Sequence, residues 1–294
     1  MEFKKLSLDD IDTISHYFKD VTHRACDCTL GGVFIWRDYF ESYYLIEDDT
    51  LLCAFGAENK TYTYPIGKNI DGAFEQIERD AEQNGYSPSF YLCSEQDMTA
   101  FKRRYPNAEI EEIRDAFDYL YNYEDLATFK GRRYSGQRNH INKFKRLYES
   151  YSFEELSPDN CEKCRTLLEN FISSRERTAA TDAESEKINE IFDNLDKYLS
   201  LGFFGGVLYV NGNTVGFSIA ENIGDTMFVH VEKADVAYEG AYQMLVCSFA
   251  EHFRREGVNY INREDDAGNE GLRKSKLAYQ PIALLPKYRA NIQM

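Results

Sequence analysis

A chain of 294 residues with 43% hydrophobic side chains is long enough for two ordinary domains with cores of their own, and too apolar to be disordered. Its net charge of −16 argues against a general nucleic-acid or anionic-membrane surface. No apolar run reaches the roughly 20 residues of a membrane helix, the N-terminus lacks a signal peptide's apolar stretch, and seven scattered Cys read as reduced thiols, so a cytoplasmic protein is expected.

Phe3 to Leu6 reads as a short strand. Ser7 then caps a helix to about Lys19, with Leu8, Ile11, Ile14 and Phe18 on one face. Residues 33–36, 42–47, 51–56 and 61–66 run apolar or alternate, as strands do, and Glu47 to Thr50 reads as a hairpin turn. Phe74, Ile77 and Ala81 predict a helix over 71–84 that Gly85 stops. A strand at 90–92, a helix from Ser94 to about Tyr105, and a strand or strand pair over 115–123 complete the first half.

Residues 131–146 hold six bases and no acid within an otherwise acidic chain. Ile141, Phe144, Leu147 and Tyr148 fall at helical spacing, so 135–149 is expected as a helix joining the halves. The pattern then restarts. A strand at 153–156 precedes a helix opened by Ser157-Pro158-Asp159 and ending near Ser173, and a second helix covers 185–199. Strands at 203–210 and 214–221 are joined by Asn211-Gly212-Asn213, a strong hairpin signal. Strand 226–231, helix 240–256, strand 258–261, helix 268–277 and strand 282–288 follow. The expected organisation is an N-terminal domain over 1–129, a basic connecting helix over 130–149, and a C-terminal domain over 150–294 that carries the site. The class is α/β with mixed sheets, and 22 Tyr and 20 Phe suit sizeable sheets.

Two segments carry candidate chemistry. In the first, a strand ends at His230-Val231-Glu232-Lys233 and Gly240-Ala241-Tyr242 opens a helix. Unpaired N–H groups and the helix dipole make such a junction an anion site, and small residues let the anion approach. An ordinary strand–helix junction is the alternative. In the second, Asn262 and Arg263 close the next strand, with Arg273, Lys274 and Lys276 on the following helix. With Arg138 they offer cations for an anionic ligand. A solvated basic helix face is the alternative for Arg138, and the more economical reading for Arg132, Arg133 and Arg146. Cys161 and Cys164 form a C-x-x-C inside a helix, and with Cys26 and Cys28 could make a zinc site only in principle, so no metal site is assigned.

The segments RNHINKF (ending at Phe144), HVEKAD (230–235), GAYQML (240–245) and INREDDAGNEGLRKSKLAYQP (261–281) resemble phosphatidylglycerol lysyltransferase C-terminal domains, in particular the soluble stand-alone members, over nearly the whole chain. The resemblance implies two tandem acyl-CoA N-acyltransferase (GNAT)-like domains laid out like the Fem aminoacyl transferases. It implies an acyl or aminoacyl transferase that takes its group from aminoacyl-tRNA or acyl-CoA. The acceptor would be a small-molecule or peptide amine or hydroxyl, with tRNA as a partner, no integral membrane contact and no required cofactor. The acyl donor would lie where the His230–Lys233 strand splays from its neighbour. The usual pyrophosphate pattern is met only in part by Ala237 to Ala241. In this reading Glu232 or His230 is the base, Lys233 and strand amides stabilise the intermediate, and Val231, Gly240, Ala241, Tyr242, Asn262, Arg263, Arg273, Lys274, Lys276 and Arg138 bind the donor. A Glu232–Lys233 surface ion pair with His230 packed in the sheet is the plain alternative. The competing functional class is a non-catalytic GNAT-like protein that binds a nucleotide, tRNA or peptide in the same cleft.

Overall fold

The computed structural model describes residues 1–19, 21–57, 60–173 and 178–292. The chain begins with β1 (Lys4–Lys5), α1 (Ile11–Phe18), α2 (Leu30–Ile35), β2 (Ser42–Glu47), β3 (Thr50–Phe55), β4 (Thr61–Thr63) and β5 (Ile66–Gly67). α3 (Ile70–Asn84), β6 (Ser89–Leu92), α4 (Glu95–Arg104), β7 (Glu109–Glu112), β8 (Asp118–Asn122), α5 (Tyr123–Thr128) and α6 (Ser135–Leu147) follow. Then come β9 (Tyr151–Glu155), α7 (Cys161–Ser173), α8 (Ala179–Asp193), α9 (Leu195–Ser200), β10 (Phe204–Val210), β11 (Asn213–Ile223) and β12 (Thr226–Ala234). The chain closes with α10 (Ala241–His252), β13 (Tyr260–Asn262), α11 (Glu270–Ala278), β14 (Ala283–Leu285) and β15 (Tyr288–Asn291). Among the described residues no helix is long and apolar enough to cross a membrane.

Local chemistry explains the hairpins. Asp48 and Asp49 both take positive φ (47° and 58°), as do Asn211 and Gly212 (50° and 79°), so each two-residue turn matches the twist of its strands. Asn69 Oδ1 accepts the Gly72 N–H at 3.1 Å to cap α3, and Gly85 ends it at φ 68°.

Two sheets result, in the orders β1-β2-β3-β4-β6-β15-β7 (with β5 beside β3) and β9-β10-β11-β12-β13-β8-β14. The orders correspond position by position. Each sheet holds one parallel pair bridged by a helix: β4 and β6 around α3, and β12 and β13 around α10. In each sheet the sixth strand comes from the other half of the sequence. The compact units do not follow the expected boundaries at 129 and 150. One compact unit comprises Met1–Asp118, Asp265–Asn269 and Leu284–Met294, and the other Tyr119–Glu264 and Glu270–Ala283. Nothing in hydrophobic pattern tells a strand which half's sheet will take it, so a linear boundary is the default reading. The first unit's core packs Phe74, Ile77, Phe90 and Phe101 against Leu52, Ala54 and Ala290.

Some elements differ from expectation. Residues 33–36 are not a strand: 33–35 belong to α2 and Trp36 is its C-cap, because Thr29 caps the Gly32 N–H at 2.9 Å. Gly32 also lies so close to the Cys26 carbonyl that a Cβ would collide with it. The expected helix 185–199 starts earlier, at Ala179, and breaks at Asn194. The expected strand 282–288 is two strands, β14 and β15. β7, sequence EIEE, shows no apolar alternation because it is a largely exposed strand at the sheet edge.

Candidate active site in the second sheet

β12 and β13 pair over only three positions, Thr226 with Tyr260, Met227 with Ile261, and Phe228 with Asn262. β13 then ends, while β12 continues to Ala234. After Asn262 the chain stays with β8: Arg263 N–H donates to Tyr119 O, and Tyr119 N–H to Glu264 O, both at 3.1 Å. The two parallel neighbours thus part, and His230 to Lys233 line the split.

Against β11 the register steps from Ala220–Val229 to Ile219–Val231, which leaves His230 as the extra residue of a β-bulge. A bulge re-aims a side chain, and here it places His230 between two carboxylates. Nε2 lies 3.0 Å from Glu221 Oε1 and Nδ1 lies 2.8 Å from Glu264 Oε1. Burial alone would lower the His230 pKa, but the two carboxylates more than offset it and raise it to about 9. Both His230 ring nitrogens are thus engaged by carboxylates, and the raised pKa favours the imidazolium at neutral pH.

Glu232 and Lys233 do not pair with each other, because successive strand residues face opposite sides. Lys233 Nζ donates to Glu184 Oε1 at 2.7 Å and lies 4.9 Å from the Phe171 ring centroid. Glu232 Oε1 accepts from Arg263 Nη2 at 2.5 Å. The Arg263 guanidinium stacks on Tyr279, 4.3 Å from its centroid, and lies 5.6 Å from that of Tyr121. Lys276 Nζ donates to the Arg263 carbonyl at 2.5 Å, so this buried lysine fixes the backbone beneath the guanidinium. Two ion pairs thus lace the split, and Arg263 and Glu264, adjacent in sequence, each supply one.

Two buried polar atoms around Glu232 have no hydrogen-bond partner. One is Arg263 Nη1. The other is Ser218 Oγ, on the β11 residue directly opposite Glu232. Unsatisfied buried groups are costly and mark places where a ligand can complete the bonding.

Several of the remaining expected residues bond or pack within the protein. Asn262 is fully buried, and its Oδ1 accepts the Glu264 N–H at 2.7 Å, which shapes the turn. Val231 is buried in the sheet. Gly240 has φ 85°, and a Cβ there would run into the His140 carbonyl, so this glycine serves the approach of α6. The N–H groups of Ala237, Tyr238, Glu239 and Ala241 already donate to Asp235 Oδ1, Asp235 O, the Tyr148 hydroxyl and Tyr238 O. That leaves four fewer amides for a pyrophosphate at the start of α10. Tyr242 is half-buried on the first turn of that helix, as is Arg273 on α11, while Lys274 points to solvent. Arg138 Nη1 donates to the Phe129 and Gly131 carbonyls, which caps the C-terminus of α5. Arg133 pairs with Asp125 at 2.5 Å and Lys143 with Glu239 at 2.5 Å, so part of the basic island is offset locally.

Glu221, Glu264, Tyr121, Tyr279 and Ser218 join the site without having been singled out in the sequence. Among the described residues, one group of His, Cys, Asp and Glu has metal-ligand spacing, Cys26 with Asp27 and Asp118. The Lys287 ammonium sits in it, paired with Asp27 and, at 2.8 Å, with Asp118.

The sequence profile of the family described as phosphatidylglycerol lysyltransferase, C-terminal, matches residues 18–291, and the chain belongs to that family. A conserved protein of unknown function from Bacteroides thetaiotaomicron is 32% identical, with 100% of each chain covered and a TM-score of 0.91. L-PGS from Bacillus licheniformis is 14% identical, with 98% of this chain and 93% of that one covered and a TM-score of 0.67. FemX is 7% identical, with 100% and 98% covered and a TM-score of 0.62. The last two likenesses concern the fold, which is the expected tandem GNAT-like arrangement of mixed sheets.

Proposed function

We propose that this member of the phosphatidylglycerol lysyltransferase C-terminal family is an aminoacyl or acyl transferase whose reacting centre is the split between β12 and β13. One observation carries the reading: Arg263 Nη1 and Ser218 Oγ, both buried and unsatisfied, flank Glu232. A substrate carbonyl at Arg263 Nη1 meets a fixed positive charge that strengthens its bond as an oxyanion develops. Ser218 Oγ orients the acceptor. Glu232, handed from Arg263 to the acceptor amine or hydroxyl as substrate enters, takes the proton. His230 is a positioning residue that holds the bulge through Glu221 and Glu264, and Lys233 braces the strand through Glu184.

Aminoacyl-tRNA is the favoured donor over acyl-CoA. The reason is the loop before α10, where four of the N–H groups that a pyrophosphate would use are already bonded within the protein. The acceptor is an amine or hydroxyl of a small molecule or peptide.

Thermal melts with CoA, acetyl-CoA and charged tRNA separate the donors, because a ligand selective for the folded state raises the melting temperature. Charged tRNA is expected to give the rise. With labelled aminoacyl-tRNA and a panel of amines, Glu232→Gln should slow loss of the label by about 100-fold, the scale of one general base. Full activity in Glu232→Gln would remove the base assignment.

A second reading, binding without catalysis, is favoured by the resting ion pairs: Glu232 is held by Arg263 and His230 is charged. Under it, charged tRNA raises the melting temperature while the aminoacyl bond stays intact.

A further inference from the structure

Outside the transferase site, the first unit holds a line of four titratable side chains: Asp97, His23, Cys28 and Cys93. Cys28 ends a short helical turn before α2, and Cys93 follows β6. The two thiols pack in one small cluster with Ala25, flanked by Val21 and Tyr91. His23 lies against Cys28, and its Nε2 is 3.9 Å from an Asp97 oxygen. The buried His23 Nδ1 has no hydrogen-bond partner.

We infer that Cys28 and Cys93 form a peroxide-reactive dithiol, with Cys28 as the attacking thiolate, Cys93 as the resolving thiol and His23 as the proton donor. The arrangement makes chemical sense of each member. Contact with Cys93 is the main cause that lowers the Cys28 pKa, with the His23 charge adding to it against burial. Burial lowers His23, but the Cys28 and Asp97 charges outweigh it and raise it to about 9. Cys93 is raised, first by the same contact, and stays a thiol. Elsewhere burial drives thiols the other way, Cys53 and Cys164 up to about 12 and Cys247 to about 11. Lys287, Asp27 and Cys53 act on this cluster through space.

The substrate class is a small uncharged hydroperoxide, because Cys28 is only 8% exposed. The Cys28 thiolate attacks one peroxide oxygen and the O–O bond breaks. The leaving hydroxide takes the His23 proton and departs as water, leaving Cys28 as a sulfenic acid. Cys93 sulfur then attacks the Cys28 sulfur, and the displaced hydroxyl leaves with the Cys93 proton as a second water. Two electrons pass from the thiols to the peroxide, and a disulfide remains.

The test is brief treatment of the reduced full chain with hydrogen peroxide at neutral pH, then denaturation, alkylation and peptide mapping. The expected product is a Cys28–Cys93 linked peptide, with Cys161 and Cys247, both more exposed, still alkylated. In Cys93→Ser the oxidised Cys28 should instead be trapped by dimedone. In His23→Gln the reaction should slow by about fivefold at pH 7, since the lost thiolate fraction is partly offset by higher intrinsic nucleophilicity. A wild-type-like melt for each variant keeps misfolding apart from lost chemistry. Oxidation of Cys161 or Cys247 ahead of Cys28, or a His23→Gln rate equal to wild type, overturns the proposal.

Discussion

His230 keeps its charge across the neutral range because two carboxylates bracket it inside the sheet. Its folded pKa, about 9, lies above the ordinary histidine value of 6.5. Between those values the folded state binds a proton that the unfolded chain lacks. The stabilisation is therefore fully present below about pH 6.5 and is lost as pH rises through about 9. The expected size is roughly 3 kcal/mol, from about 1.4 kcal/mol per pKa unit. Urea unfolding at pH 6.5 and pH 9 should show wild type losing that much more than His230→Gln, and equal losses would mean a neutral His230. At this scale the sequence pointed to the candidate segment but not to the partners within it. His230, Glu232 and Arg263 stand out as chemistry-bearing residues at strand ends. Glu221 does not, because only the bulge that steps the register past His230 brings it to the ring. The same holds for Cys28 and Cys93, far apart in sequence and joined only by packing.

Gly240 shows how an element can mislead. A glycine at a helix start reads as room for a phosphate, whereas here it makes room for α6, whose His140 carbonyl occupies the space of a Cβ. Gly240→Ala should destabilise the protein by about 2 kcal/mol or more, combining a positive-φ cost of about 1–3 kcal/mol with the collision. The expected readout is a lower urea midpoint with an unchanged slope. A variant as stable as wild type would mean that α6 can yield. The longer elements were legible because their period or caps were strong, as in α3 between Asn69 and Gly85. α2 was not, because six apolar and glycine residues carry no period that separates helix from strand, and Thr29 decides the matter.

The exchange of sixth strands ties the two halves of the chain together by topology. Cutting at the linear boundary between residues 129 and 130 leaves the second sheet without β8, so β13 and β14 each lose a neighbour, and leaves the first without β15 between β6 and β7. Neither 1–129 nor 130–294 alone should melt cooperatively, while the full chain should. Calorimetry of the separate fragments checks this, and a cooperative melt of isolated 130–294 would show the exchange to be dispensable. The sequence by itself determined the α/β class, the repeated layout, the hairpins at 48–49 and 211–212, and the segment in which the site is proposed. These are local properties, set by period, turn residues and caps. Only the tertiary structure decided which sheet each sixth strand joins, where β12 and β13 part, and which carboxylate meets which cation. Those depend on strand register and on contacts between residues distant in the chain, and no local pattern encodes them.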